Sequence, residues 1–245
     1  MSEKNSELSA AIKNEVKPKS PRRIIGEPHK INQKNIEIIN KTKINNFYIK
    51  NNDDFRELII NHIKAEDEIL DVGKSMRGYF SKIRSKSITT LDVNEFEDYP
   101  DLVFDLCDEL PENLNDKYDK IICIAILEHV YDPFKAIMNL RKMLKSNGTI
   151  FGYVPYLYKY HAPNDLKFQD YFRFSKDALS YLFKDFNFVE LYPVRGRISA
   201  PLNILSPNFL KKIIEKIKIN LLLDKMSSDR INGIQCSGYN FIVKK

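Results

Sequence analysis

From residue 67 onward the apolar and polar positions fall into a strand–helix rhythm. Ile69–Val72 is an apolar run too short for a helix and bounded by acids, the pattern of a buried strand. Tyr79–Ile83 suits a following helix. Ser87–Val93 and Leu102–Asp105 are two more strands, and Tyr118–Ala125 is a longer one. Asp132 and Pro133 then open a helix, with the acid as N-cap and proline in the first turn. Phe134, Ile137, Leu140 and Leu144 are expected along its inner face. Ser146-Asn147-Gly148 turns the chain into strand Thr149–Val154, which stops at Pro155. A helix over Ser175–Phe183 and strands over Phe188–Tyr192 and Gly238–Lys244 complete the series. Short apolar strands alternating with helical segments imply an α/β fold with a doubly wound parallel sheet.

Three regions fall outside this rhythm. Residues 1–30 are polar and lysine-rich, with Pro18, Pro21 and Pro28, and predict a mobile arm. Residues 31–66 predict an N-terminal helical cap. Its second helix, from about Asp53 to Ala65, carries Phe55, Leu58, Ile59 and Ile63 at helical spacing. The main domain is then 67–245. Within it, residues 156–174 form a long aromatic and polar stretch beyond the carboxyl end of a strand. That is the edge where open α/β sheets bind ligands, so the stretch is expected to be a lid or acceptor loop. Residues 205–225 predict a basic amphipathic helix with Leu210, Ile213, Ile214, Ile217 and Leu221 inside. Its apolar stripe has ordinary width, which suits core packing or a homodimer contact better than a membrane surface.

Composition narrows the picture further. A chain of 245 residues with 43% hydrophobic content supports one large packed domain. No run of 18 apolar residues is present, so no membrane span is expected. The opening Met-Ser-Glu-Lys-Asn lacks the apolar core of a secretory signal. Cys107, Cys123 and Cys236 are scattered and odd in number, which fits a reduced, cytoplasmic setting. The net charge of +6 comes from lysines spread along the whole chain. Without an aromatic-studded basic stripe, this reads as a solvated surface and not as a nucleic-acid site.

Two acids carry the candidate chemistry. Asp71 ends the first strand beside Gly73, and Asp92 ends the next strand 21 positions later. That spacing fits one strand–helix–strand unit whose second acid holds the vicinal hydroxyls of a nucleotide ribose. A carboxylate suits such a diol because it offers two acceptor oxygens. The turn after Asp71 reads Gly73-Lys74-Ser75-Met76-Arg77-Gly78, so Ser75 stands where a second glycine would be expected. In the aromatic stretch, His161 has Asp165 and Asp170 near it in sequence. An imidazole with a carboxylate partner can take the proton from an acceptor hydroxyl. Arg173 is a candidate grip for an anionic group. The acids and histidines show no recognised metal-ligand spacing, so no metal is assigned.

Several segments together resemble class I S-adenosylmethionine-dependent methyltransferases. They are Ile69-Leu70-Asp71-Val72-Gly73, Leu91-Asp92-Val93, Asp105 before Leu110-Pro111, Tyr118–Cys123, Ile126-Leu127-Glu128-His129-Val130 and Leu144–Gly148. The resemblance implies a Rossmann-like sheet of seven strands, the last antiparallel, and S-adenosylmethionine as cofactor. It implies cofactor contacts from Asp71, Gly73, Ser75, Asp92, Val93, Asp105, Leu106, Ile126 and Glu128. His129 would lie beside the reacting sulfonium and share catalysis with His161 and Asp170. Arg173, Tyr156 and Tyr171 would contact the acceptor. Val154–Leu157, His161, Asp170–Phe174 and Cys236-x-Gly238-Tyr239 are similar to methyltransferases of capsule and lipopolysaccharide biosynthesis. This finer likeness implies O-methylation of a surface-glycan precursor or its phosphate-type substituent. Two other readings compete. A nucleotide-sugar oxidoreductase would need more glycines than this turn has. A methyltransferase-like scaffold without activity is motivated by Ser75.

Overall fold

The computed structural model describes residues 30–45, 52–76, 78–162, 168–207, 222, 224–225 and 233–245. The N-terminal arm, but for Lys30, and most of the 205–225 segment lie outside the described residues, as does Asp165. The chain divides into two compact units, Met1–Ile36 and Glu37–Lys245. Of the first, only the start of helix α1 (Lys30–Asn40) is described.

The second unit is built on an eight-stranded sheet. Its elements in chain order are β1 (Thr42–Ile44), α2 (Asn52–His62), β2 (Glu68–Val72), β3 (Ser87–Asp92), β4 (Leu102–Val103), β5 (Tyr118–Ile124), α3 (Pro133–Met143), β6 (Leu144–Pro155), α4 (Lys176–Leu182), β7 (Phe188–Val194), α5 (Ser199–Leu205) and β8 (Gly238–Lys244). The spatial order is β1-β7-β8-β6-β5-β2-β3-β4. All neighbours pair in parallel except β8, which runs antiparallel between β6 and β7. This is the open, mostly parallel Rossmann-like sheet that the alternating strands and helices predict. Three residues of β1 extend it by an eighth strand, pairing with β7 through Thr42 and Val189.

Alternation along the strands sorts the core into two layers, because successive side chains point to opposite faces. Leu70 and Ile121 face one side, where Ile137 and Leu140 of α3 and Leu179 of α4 complete the layer. Ile69 and Ile122 face the other, packing with Phe55 and Ile59 of α2, Met76 and Phe151. Both layers consist of residues almost wholly withdrawn from water.

Three expectations change in detail. The helix expected over Tyr79–Ile83 is a single 3-10 turn, Phe80–Lys82, with no buried residue. Helix α2 supplies the apolar cover on that face instead. Helix α3 begins as predicted, with the Asp132 carboxylate accepting from Lys135 N at 3.0 Å. Its buried face, however, is Ala136, Ile137, Asn139, Leu140 and Met143. Phe134 is 52% exposed and meets the Tyr181 ring edge-on, and Leu144 already begins β6.

Candidate active site

In an open α/β sheet the ligand crevice forms where connections leave the carboxyl ends of adjacent strands in opposite directions. Here β2 is flanked by β5 on one side and β3 on the other. A cavity of about 330 Å³ opens beyond these strand ends. Gly73 and Asp92 lie at its wall with Leu106, Ile126, His129 and Phe168.

The turn after β2 is shaped from within. Asp71 is fully buried, and its two carboxylate oxygens accept from Ser75 N at 2.9 Å and Met76 N at 3.1 Å. Burial pushes this carboxyl up to about 6, against the pull of those two N–H groups. Asp71 therefore folds the turn back on itself and does not line the cavity. Gly73 has φ +67°, a conformation that favours glycine, and a Cβ there would push the tip of the Ile126 side chain aside. Lys74 and Ala125 also have positive φ (53° and 56°), which concentrates backbone strain where β2 and β5 end. Ser75 lies outside the cavity wall. Its hydroxyl donates to Val72 O at 2.6 Å and accepts from Ile124 N at 3.2 Å, latching the two strand ends together.

Asp92 ends β3 at the cavity with its carboxylate already oriented. One oxygen accepts from Asn94 N at 3.0 Å and the other from Tyr99 Oη at 3.1 Å. Each oxygen keeps a further lone pair for a ligand. Val93 and Asn94 continue this wall. Leu106 and Phe104 supply apolar surface, and Asp105 accepts from Cys107 N at 2.8 Å. The loop is fixed from beneath by the buried Asn139, whose amide donates to Leu106 O at 2.9 Å and Asp108 O at 2.8 Å.

The far end of the site is made by residues after β5 and by the loop 156–174. Glu128 O accepts from Tyr171 N at 2.8 Å and from Phe172 N at 3.2 Å, which ties the loop to β5. The Glu128 side chain is fully buried, and neither of its oxygens has a hydrogen-bond partner among the described residues. Burial, with Asp170 adding to it, pushes this carboxyl up to about 8. His129 Nδ1 lies 2.6 Å from Gln169 O, and burial pushes its imidazole below the ordinary value. The ring meets Phe168 and His161 edge-on, at 4.5 and 4.9 Å between centroids. His161 Nδ1 lies 3.1 Å from Asp170 Oδ2. Asp170 is held in turn by Arg173, whose two terminal nitrogens pair with its two oxygens and draw its carboxyl down to about 2.

The sequence-predicted residues thus fall into three groups. Gly73, Asp92, Val93, Asp105, Leu106, Ile126 and His129 gather around the cavity. Glu128, His161, Asp170 and Arg173 form a second cluster joined to it through His129. Asp71 and Ser75 support the first turn from outside the cavity wall. Every N–H of the Arg173 guanidinium is engaged inside the loop, with Asp170, Tyr158 O, Lys159 O and Phe172 O. Gripping an acceptor would require one of these bonds to be given up. Tyr156 is half-buried near Tyr239, and Tyr171 is 52% exposed. Sequence reasoning missed Phe104, Val130, Tyr131, Phe168 and Asn139. The four that line the cavity follow strand ends or sit in the loop, a signal that was present in the chain.

No family model matches this chain, and no curated protein matches it. Solved structures resemble it at low identity. A Haloferax volcanii methyltransferase in complex with the Trm112 methyltransferase activator is 16% identical, with a TM-score of 0.49 over 78% of this chain and 88% of that one. Phosphoethanolamine N-methyltransferase 2 of Haemonchus contortus, bound to phosphomonomethylethanolamine and S-adenosylhomocysteine, is 16% identical with a TM-score of 0.48; 77% of this chain covers 52% of that enzyme. An S-adenosylmethionine-dependent methyltransferase of Archaeoglobus fulgidus is 21% identical, with a TM-score of 0.43 over 78% of this chain and 91% of the other. No helix among the described residues is long and apolar enough to cross a membrane.

Proposed function

We propose that the chain is an S-adenosylmethionine-dependent O-methyltransferase, acting in the cytoplasm on a surface-polysaccharide precursor or its phosphate-type substituent. The observation that carries the reading is one continuous cavity from the Gly73 turn to the Asp92 carboxylate, at the carboxyl ends of β2, β3 and β5. The residues present fit the cofactor. Gly73 keeps backbone open where a side chain would push the Ile126 tip aside. Asp92 offers a pre-oriented double acceptor suited to ribose hydroxyls. Leu106 and Phe104 offer apolar faces suited to a nucleobase.

When bound, S-adenosylmethionine supplies an electrophilic methyl group. The chain's own tasks are alignment and exclusion of water. Phe168 and His129 cover the cavity on the loop side. Asp170 Oδ2 lies 3.1 Å and Lys159 O 3.4 Å from His161 Nδ1; both oxygens can only accept, which favours a proton on Nδ1 and leaves Nε2 its lone pair. That lone pair is in position to take the proton from an acceptor hydroxyl. The glycan acceptor is supported by the likeness of Val154–Leu157, His161, Asp170–Phe174 and Cys236-x-Gly238-Tyr239 to capsule and lipopolysaccharide enzymes.

Calorimetry with S-adenosylmethionine, followed by assay of S-adenosylhomocysteine release over a panel of glycan precursors, tests the reading. Stoichiometric binding with turnover on one precursor class is expected. Failure to bind would overturn it. Binding without turnover on any precursor would favour the scaffold reading, which the engaged Ser75 hydroxyl motivates.

A further inference from the structure

We propose that Glu128, His129 and His161 form a divalent transition-metal site with open positions toward the cleft, where an acceptor oxygen would bind. One ligand atom from each of the three residues lies within 4.8 Å of the others. Glu128 Oε1 is 3.8 Å from His129 Nε2 and 3.8 Å from His161 Nε2. These distances are too long for hydrogen bonds. They are close to the roughly 3.4 Å separation of ligand atoms around a tetrahedral ion with bonds of about 2.1 Å.

Tautomers decide what the three atoms are. Gln169 O and Asp170 Oδ2 can only accept, so His129 and His161 each carry their proton on Nδ1. Both Nε2 atoms are then lone pairs aimed at a carboxylate oxygen. Three potential ligand atoms converge in a buried place where the Glu128 oxygens have no hydrogen-bond partner among the described residues. Buried polar groups left unsatisfied in this way call for a partner. A metal ion supplies one.

The surroundings match a metal site beyond the three ligands. Ligating histidines ordinarily donate their other ring N–H to a carboxylate or a backbone carbonyl; here His129 Nδ1 faces Gln169 O, and His161 Nδ1 faces Lys159 O with the Asp170 carboxylate beside it. Asp170 is itself held by Arg173. Two imidazoles and one carboxylate select zinc, iron, cobalt or manganese over magnesium or calcium. Three protein ligands leave coordination positions open, and His129 also lines the cavity. The loop 156–174 would then be organised to deliver His161 to the ion. The metal site stands on its own geometry, and only the acceptor oxygen rests on the methyltransferase reading; in the metal-loaded site His161 Nε2 would be a ligand, and the ion in place of the imidazole would acidify the acceptor hydroxyl.

The test uses the full chain, freed of any affinity tag and stripped with a chelator. Co²⁺ and Zn²⁺ are titrated by calorimetry, and Co²⁺ also by its visible absorption. One equivalent per chain is expected, with the bands of imidazole-bound cobalt. His161→Ala and Glu128→Gln should each weaken binding by roughly 100-fold or more, and Asp170→Asn by about 10–100-fold. His62→Ala should leave it unchanged, because that ring lies 2.8 Å from Leu58 O, outside the cluster. Circular dichroism on each variant separates misfolding from ligand loss. If the variants do not fold, nitrogen NMR of the wild-type imidazoles decides: Zn²⁺ must shift two of the 4 histidines at Nε2. Absence of saturable binding, no shifted imidazole, or wild-type affinity in both ligand variants overturns the site. S-adenosylmethionine binding by a chain that takes up neither Co²⁺ nor Zn²⁺ would remove the metal site alone. Metal without S-adenosylmethionine binding would remove the methyltransferase reading alone.

Discussion

Asp92, at the end of β3, and Glu128, just beyond the end of β5, are carboxylates with opposite surroundings. Asp92 is half-exposed, and both its oxygens already accept hydrogen bonds from Asn94 N and Tyr99 Oη. Glu128 is fully buried, and neither oxygen has a hydrogen-bond partner among the described residues. The Asp92 side of the site is preset by local backbone: one turn, one strand end and one short loop. The Glu128 side depends on residues delivered from the loop 156–174, and burial there favours the neutral form of the carboxyl. On the proposed function, the comparison separates a side that would recognise the cofactor from a side that would carry the chemistry.

Removing His161 should break the comparison most sharply. His161→Asn should lower turnover by about 10²–10⁴-fold, the usual contribution of a positioned acid–base group. S-adenosylmethionine affinity, read by calorimetry, should stay near the wild-type value because His161 does not line the cavity.

The next effect concerns the buried acid that folds the first turn. Asp71 sits at about 6 in the folded chain, above its ordinary value of 3.8. The folded state therefore holds this proton longer than the unfolded state. Stability from this group is fully present below about pH 4 and falls as pH rises to about 6, by roughly 3 kcal/mol. Above that window its contribution is flat. The difference between wild-type and Asp71→Asn unfolding curves across pH should isolate this slope.

Asp92→Ala should weaken S-adenosylmethionine binding by about 1.5–3 kcal/mol without unfolding the chain, from the loss of a charged double acceptor. Its effect on turnover at saturating cofactor should be small, the reverse of His161→Asn. The smallest effect is expected at Ser75. Ser75→Gly removes the hydroxyl that joins Val72 O to Ile124 N and should cost about 1 kcal/mol of stability. Cofactor affinity should not change, because Ser75 lies outside the cavity wall. A marked gain in affinity would mean that this turn reaches the cofactor after all.

The same division explains what the sequence made legible. The Asp71-x-Gly73 turn and Asp92 could be read because each is a few contiguous residues whose chemistry is local. Strands β2, β5 and β8 could be read from their apolar runs, and α3 from its Asp132-Pro133 cap. The cover on the β2–β3 crossover face could not. Tyr79–Ile83 has helical apolar spacing, but the described residues between Met76 and Lys86 form turns, one 3-10 segment and irregular backbone. Strand β1 was also invisible, since Thr42-Lys43-Ile44 shows no alternation and gains its state only by pairing with β7. Phe134 had helical spacing yet faces outward against Tyr181. The meeting of Glu128 and His129 with His161 follows from a loop that returns across the site, held by Glu128 O to Tyr171 N. No local spacing encodes that return.

The central claim is that the cavity between Gly73 and Asp92 binds S-adenosylmethionine. Isothermal titration of the full chain with this ligand, beside Asp92→Ala, tests it most directly. The account predicts one ligand per chain, with affinity falling by roughly 10–150-fold in the variant. A folded wild-type chain that takes up no S-adenosylmethionine, or a variant that binds it as tightly as wild type, would contradict it.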